Sequence, residues 1–297
     1  MTPIALALSL ALHAAPAPKT MPPPATEALT TSTREWHAQR IERLQAEDGW
    51  LTLVGLFWLE EGEQSVGSAP GNDLDFPDNT PAKLGTFTRQ GNTARFQPAP
   101  GVSITRNGQP FTGGALQTDE KGAPDVLKLG SVSFQLILRG DKLGVRVRDT
   151  QAPARKAFNG IPTYPASPQW RVEARFEPAE TPRTIQVPNV LGTVEEMKAP
   201  GTLVFTVDGK EHRLTPVEDG SGGLFIIFAD TTNRDATYGA GRFLSADMPK
   251  DGRVVLDFNR AYNPPCAFTK FATCPLPPKG NRLALRVEAG EKRYADH

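Results

Sequence analysis

The chain has 297 residues, and its 33 lysine and arginine residues are balanced by 33 aspartate and glutamate residues, so its formal net charge is zero. Binding along nucleic-acid phosphates requires clustered excess basic charge, so this balance argues against nucleic acid as a partner. The 27 glycines and 28 prolines are spread between short apolar runs, a pattern typical of all-β proteins.

The first 18 residues have the pattern of a signal peptide. Residues 4–15 form an apolar run too short to span a membrane as a stable helix, and small residues follow around Ala15 and Ala17, although no basic residue precedes the run. We therefore expect export to the periplasm or medium, or a cytoplasmic location if this segment is not a functional signal. We do not expect an integral membrane protein. Residues 19–31 are predicted to be a disordered tether.

A helix is predicted over residues 32–47. The segment STRE at residues 32–35 has the form of a capping box, which satisfies the free N–H groups of a first helical turn. Trp36, Ile41 and Leu44 would form the apolar stripe, and the arginines, Arg40 among them, would be solvated. We expect this helix to pack on a β-sandwich that begins near residue 50.

Two β regions follow. The first ends near residue 150 and contains Asn107-Gly108, a strong hairpin signal. Its stretch SVGSAPGNDLDFP, at residues 65–77, faintly resembles the opening of a forkhead-associated sandwich, although the arginine that such domains use for phosphothreonine is replaced by Ser68. The proline-rich residues 150–168 form a boundary, and the second region covers residues 165–294.

The expected fold class is therefore all-β: an N-terminal helix and β-sandwich over residues 32–150, then a second sandwich or barrel-like unit over 165–294. In the second unit, Asp208-Gly209 indicates another hairpin. The continuous apolar run at residues 224–228 indicates a strand buried on both faces.

Several chemistries lack their motifs in this chain. Of the four histidines, only His37 and His212 lie away from the termini, and both are expected at the surface, which argues against a Ser-His-Asp triad. No zinc-protease motif, Walker loop or dinucleotide fingerprint is present. The carboxylates of residues 73–78 are better explained as a solvated turn than as a calcium loop. We therefore predict no metal and no cofactor.

Cys266 and Cys274 are the only cysteines. In an exported protein we expect a disulfide that closes a nine-residue loop, bracketed by Pro264-Pro265 and Pro275. Two structural thiols and a nucleophilic thiol remain the alternatives, although no histidine base is evident nearby.

Polar side chains surround this loop and form the candidate site. As ligand-binding residues we predict Arg242, Tyr238, Thr232, Asn259, Tyr262 and Asn263, and as candidate acid or base residues Asp257 and Asp230. Strand alternation in LDFN would place Asp257 and Asn259 on one face, and the planar fork of Arg242 suits a carboxylate or phosphate. The same groups could instead form a buried hydrogen-bond network, and the sequence leaves both interpretations open.

Two motifs resemble the bacterial and archaeal family known as domain of unknown function 1684. They are GLFIIFADTTNRDATYGAGRFL from residue 223 and LDFNRAYNPPCAFTKFATCPLPPKGNRLALRVEAGEK from residue 256, and weaker similarity extends the resemblance to residues 34–294. The resemblance supports the position of the site and implies no reaction. Two functions therefore stay open: a small polar or anionic ligand site near Arg242 and Asp257 with possible hydrolysis, or a non-enzymatic envelope protein with a structural motif. The oligomeric state is not predicted.

Overall fold

The computed structural model describes residues 23–294, and it confirms the mainly β fold with a long N-terminal helix. The helices are α1 Pro23–Gln45 and α2 Pro153–Ala157, and the strands before residue 150 are β1 Leu53–Trp58, β2 Gly62–Gly67, β3 Leu74–Asp75, β4 Gly85–Gln90, β5 Thr93–Pro98, β6 Ile104–Arg106, β7 Gln109–Phe111, β8 Gly114–Leu116, β9 Val126–Leu129, β10 Val132–Arg139 and β11 Lys142–Asp149. The later strands are β12 Arg171–Pro178, β13 Thr184–Pro188, β14 Val194–Lys198, β15 Gly201–Val207, β16 Lys210–Leu214, β17 Val217–Glu218, β18 Gly223–Phe228, β19 Arg242–Asp247 and β20 Arg253–Asp257. Short 3₁₀ turns connect several of these strands.

The first unit consists of a six-stranded sheet in the order β1-β11-β10-β9-β6-β7 and a five-stranded sheet in the order β3-β2-β4-β5-β8. Phenylalanines from both sheets meet in its core, where the rings of Phe87 and Phe96 lie 4.8 Å apart and both contact Phe134. Because side chains alternate along a strand, Val145 and Val147 of β11 point into this core. Arg146 between them therefore points out of the sandwich.

The second unit contains a four-stranded sheet in the order β16-β15-β12-β20 and a three-stranded sheet in the order β17-β18-β19. Strand β18 is buried on both faces, as its unbroken apolar sequence predicts. Ile226 packs in the core between the two sheets, whereas Ile227 packs in a second cluster beneath the β13–β14 hairpin and the cysteine loop. Within residues 23–294 the sheets are open, and none closes into a barrel.

The two predicted hairpin turns are confirmed. Asn107 and Gly108 connect β6 to β7 with φ angles of 50° and 81°, and Asp208 and Gly209 connect β15 to β16 with φ angles of 51° and 73°. Positive φ at both central residues is characteristic of a type I′ turn, whose twist matches that of the flanking strands. Local sequence alone is therefore sufficient to place these turns.

Helix α1 differs from the prediction in two respects. It begins at Pro23 rather than near Ser32, so residues 23–31 of the expected tether are helical, and buried Leu29 helps to hold them. The helix also packs on the second unit rather than on the first sandwich, because Trp36 contacts Tyr262 and the guanidinium of Arg40 lies 4.8 Å from the centre of the same ring. The expected solvation of Arg40 is therefore wrong.

The rest of the predicted tether and the predicted signal peptide lie outside the described residues. Among residues 23–294, no helix is both long enough and apolar enough to cross a membrane.

Candidate functional site

Arg242, the centre of the predicted site, is fully buried. It lies at the start of β19, and its guanidinium donates to the carboxylate of Asp230 at 2.7 Å and to the carbonyl oxygens of Val287 and Ala289 at 2.8 and 2.5 Å. A planar fork that is already held by one carboxylate and two carbonyl groups does not present an anion site to solvent. The structure therefore places Arg242 in the buried network that the sequence left open as the alternative.

Asp230 and Thr232 belong to the same network. Asp230 caps the 3₁₀ turn Thr231–Arg234, and one of its carboxylate oxygens accepts from the backbone N–H of Thr232 at 2.8 Å and from its hydroxyl at 2.6 Å. The same oxygen accepts from the N–H of Val287 at 3.2 Å, and the other oxygen binds Arg242. The side chain of Asp230 is 0% exposed, so its carboxylate is used to hold the C-terminal segment and is not open to a substrate.

Asn263 and Tyr262 anchor helix α1. The backbone N–H of Asn263 donates to the carboxylate of Glu291 at 2.7 Å, and its carbonyl accepts from Arg40 at 2.8 Å. Arg40 also pairs with Glu291 at 3.3 Å while it lies over the ring of Tyr262. Burial raises the pKa of Glu291, and the charge of Arg40 opposes this effect. The sequence analysis did not identify Glu291, which lies in the segment AGEK at the end of the second family motif.

Asp257 and Asn259 are neighbours, although not through the predicted strand alternation. Strand β20 ends at Asp257, which caps the 3₁₀ turn Phe258–Arg260 and accepts from the side-chain amide of Asn259 at 2.9 Å. The carboxylate of Asp257 is 14% exposed and lies 3.6 Å from Arg260 and 4.0 Å from Arg171. These three side chains line a surface cleft of about 510 Å³. Of the two predicted acid or base residues, Asp257 is thus the one near solvent.

Tyr238 lies apart from these groups. Its half-buried ring packs in the cluster formed by Leu44, Phe158 and Phe268 beneath helix α1, and burial raises the pKa of its hydroxyl. The residues predicted as one pocket are therefore divided among a buried network, a helix anchor, a surface cleft and an apolar cluster.

The two cysteines are joined. Cys266 and Cys274 form a disulfide with a Cα–Cα distance of 6.2 Å, and the backbone N–H of Cys266 also contacts the sulfur of Cys274. Cys274 is buried next to Phe243 and Val187, so the bridge fixes the loop against β19 and the β13–β14 hairpin. Within residues 23–294, no three His, Cys, Asp or Glu side chains are grouped in a way that could hold a metal ion.

The disulfide loop forms one wall of a cavity between the two units, which we call the inter-unit cavity. Its volume is about 570 Å³, within the range of about 300–1,000 Å³ that is usual for small-molecule sites. The first unit contributes Trp50 and Arg146, among others, and the second unit contributes Phe225, Phe243, Thr273 and Cys274.

Arg146 places a buried positive charge in the wall of this cavity. The side chain is only 5% exposed, its Nε atom has no hydrogen-bond partner, and one terminal nitrogen reaches the hydroxyl of Thr273 at 3.5 Å. The guanidinium carbon lies 5.4 Å from the centre of the Trp50 ring. Within the described range, no carboxylate forms an ion pair with Arg146. Burial, followed by the positive charges of Arg139 and Arg148, lowers its pKa to about 10.

The two nearby arginines, unlike Arg146, have their guanidinium groups held by hydrogen bonds of about 3 Å to protein oxygens. Arg139 binds both carboxylate oxygens of Asp119 at 2.8 and 3.0 Å, and Arg148 donates to the backbone carbonyl of Asp48 and the side-chain oxygen of Gln135. Arg146 is therefore a buried charge that retains donor capacity for a ligand. Its outward direction follows from the alternation in LGVRVRD, but the sequence contains no indication of the opposite wall.

Comparisons with known proteins identify the second unit. The family model described as Protein of unknown function (DUF1684) matches residues 156–292. Among solved structures, the uncharacterized protein from gene locus rrnAC0354 of Haloarcula marismortui is 33% identical, and the match covers 48% of this chain and 81% of that protein with a TM-score of 0.41. The family resemblance predicted for residues 34–294 is thus shown by the family model for residues 156–292.

Two FHA domains also match. The FhaA FHA domain, solved in complex with the intracellular domain of Rv3910, is 17% identical over 31% of this chain and 97% of that domain, with a TM-score of 0.22. An FHA domain studied for phosphothreonine-dependent interactions is 18% identical over 33% of this chain and 96% of that domain, also with a TM-score of 0.22. No curated protein sequence matches the chain.

Proposed function

We propose that this chain, which belongs to the DUF1684 family of proteins of unknown function, binds a small anionic ligand in the inter-unit cavity. The observation that carries this proposal is the guanidinium of Arg146, which is buried in the cavity wall without a carboxylate partner. A buried charge without a counter-ion destabilises the folded protein, whereas a bound carboxylate or phosphate would supply the missing charge and hydrogen bonds. The predicted anionic ligand is thus retained, and its proposed site moves from Arg242 to Arg146.

The surroundings of Arg146 support a ligand rather than a tightly packed core. The guanidinium lies over the Trp50 ring, which favours its charged form, and the hydroxyl of Thr273 is a second polar group in the same wall. The aromatic rings of Phe225 and Phe243 supply apolar surface to the cavity. A few polar groups in a mainly apolar concave site are usual for small-molecule recognition.

Isothermal titration of the full chain tests this proposal, with hexanoate, benzoate and inorganic phosphate as probes. We expect saturable binding of at least one anion, and we expect Arg146→Gln to weaken it by about 10- to 100-fold, the effect of losing a charged hydrogen-bonding group. Arg253→Gln is the control, because the side chain of Arg253 is 65% exposed and lies outside the cavity. Absence of binding by all three anions, or equal affinity in Arg146→Gln, would refute the proposal.

A second candidate function has its own support. Arg242 pairs with Asp230 and with a backbone carbonyl, and the backbone N–H of Asn263 donates to the buried carboxylate of Glu291, which favours the view that the C-terminal polar motif is structural, as in a non-enzymatic envelope protein. This view of the motif is compatible with ligand binding elsewhere in the protein. Acid–base chemistry stays a separate proposal for Asp257 alone, supported by its place in the surface cleft.

Export of the protein also stays a proposal. The apolar run at residues 4–15 supports it, and so does the disulfide, since such bonds persist mainly in oxidising compartments. N-terminal sequencing of protein recovered from the periplasm or medium tests it, and an uncleaved chain confined to the cytoplasm would contradict it.

A further inference from the structure

The inter-unit cavity has two differently charged regions. Arg146, which is 5% exposed, provides a buried positive charge. Glu120, in the 3₁₀ turn Asp119–Lys121, and Glu195, in strand β14, line the same cavity with side chains that are exposed. The cavity therefore combines a positive interior with a negative rim.

The two rim carboxylates are open to a ligand. Glu195 accepts one long hydrogen bond, at 3.4 Å, from the side-chain amide of Asn189. Within residues 23–294, neither Glu120 nor Glu195 forms an ion pair with a basic side chain. Arg139 also lines the cavity, but its charge is matched by the two hydrogen bonds that it makes to Asp119.

Apolar side chains supply the remaining surface. Phe225 and Phe243 lie edge to face with their ring centres 4.8 Å apart, and Met197 and Leu138 complete this part of the lining. An apolar wall of this kind binds a hydrocarbon body without adding a charge preference. The preference for charge then comes from Arg146, which favours an anionic group, and from the two glutamates, which favour a cationic group.

From this arrangement we infer that the ligand is a zwitterion, with an anionic group at Arg146, an apolar body and a cationic amine at the rim beside Glu120 and Glu195. An ω-amino carboxylate is the simplest member of this class. The inference rests on the proposed anion site at Arg146, and it adds that this site prefers anions that also carry an amine. A ligand with two negative ends would be repelled by the rim, and a plain carboxylate would leave both glutamates without a partner.

Isothermal titration with ligands matched in length tests the inference. The probes are hexanoate, 6-aminohexanoate, hexylamine and adipate, with 4-aminobutanoate and 8-aminooctanoate to vary the distance between the charges. We expect 6-aminohexanoate or one of its homologues to bind about three- to tenfold more tightly than hexanoate, the gain expected from solvent-accessible ion pairs. Adipate should bind more weakly than hexanoate.

Two double variants identify the source of any preference. Glu120→Gln with Glu195→Gln should bind hexanoate at least as well as the wild type does and should lose the preference for the amino acid. The control is Glu63→Gln with Glu180→Gln, which removes the same charge from exposed positions outside the cavity, and it should keep the preference.

The possible outcomes separate this inference from the proposed function. Binding of hexanoate that depends on Arg146, without any preference for the amino acids, overturns the zwitterion inference and leaves the anion site intact. A preference that survives in the Glu120 and Glu195 double variant also overturns the inference. Failure of every carboxylate and of inorganic phosphate to bind overturns both.

Discussion

Replacing Arg146 by methionine should stabilise this protein, although most substitutions of buried residues destabilise the proteins that carry them. Methionine is close in length to the aliphatic stem of arginine and fills irregular apolar space, so it can occupy much of the space beside the Trp50 ring where the guanidinium lies. The change removes a charge that has no carboxylate partner. The same change should abolish anion binding in the inter-unit cavity, so stability and binding are expected to move in opposite directions.

The magnitude follows from the environment of Arg146. Burial and two neighbouring arginines lower its pKa to about 10, and one pKa unit corresponds to about 1.4 kcal/mol. Measured from the ordinary value for a guanidinium, holding the charged form costs on the order of 3 kcal/mol. The interaction with the Trp50 ring offsets about 1 kcal/mol of this cost. The net gain for Arg146→Met is therefore about 2 kcal/mol, or about 3 °C in Tm for a chain of 297 residues.

The pH dependence of this gain has a definite sign. The folded-state pKa of this basic group is depressed, so the cost of its charge is fully present below about pH 10. The cost falls as the pH rises from that value towards the ordinary value of a guanidinium. The advantage of Arg146→Met should therefore be constant near neutral pH and should shrink only under strongly alkaline conditions.

Urea denaturation followed by tryptophan fluorescence measures the free energy of unfolding of both proteins. Arg242→Met is the matched control, since Arg242 is also buried but forms an ion pair with Asp230 at 2.7 Å. That variant leaves a carboxylate buried without its partner and should lose about 3–5 kcal/mol. A loss of stability in Arg146→Met comparable with that in Arg242→Met would refute the reasoning, because it would show that Arg146 is already satisfied within the protein.

Two further predictions concern the buried polar groups and the cysteine loop. Burial raises the pKa of Glu291 above its value in the unfolded chain, so the protein loses stability as the pH rises from the unfolded-state pKa to the folded-state pKa of this carboxyl. Urea titrations from about pH 4 to pH 8 should therefore show that Glu291→Gln gains stability relative to the wild type as the pH rises. Parallel pH dependences of the two proteins would contradict a raised pKa for Glu291. Replacing Cys266 and Cys274 by serine should cost about 2–3 kcal/mol, because the bridge closes a loop between residues eight positions apart; an unchanged urea midpoint, with alkylation and mass measurement to confirm the bridge in the wild type, would exclude this contribution.

The sequence by itself was sufficient wherever the cause of a structure is local. Asn107-Gly108 and Asp208-Gly209 predict type I′ hairpins because few other residue pairs tolerate positive φ at two successive positions. The apolar run of β18 predicts a strand buried on both faces, and two cysteines in a short proline-bracketed loop predict the disulfide that the structure contains. The family resemblance of the second unit is likewise a property of the sequence alone.

The tertiary structure decided which polar side chains are buried together and which remain open to a ligand. Arg40 lies in helix α1, Arg146 in β11 and Arg242 in β19, and the residues next to each arginine do not show which partners it will meet. Arg40 is neutralised by Glu291, 251 residues away, whereas Arg146 donates to the hydroxyl of Thr273, 127 residues away. The energy of a buried charge depends on the partners that folding brings to it, so a network residue and a ligand-binding residue of the same type differ only once the chain has folded.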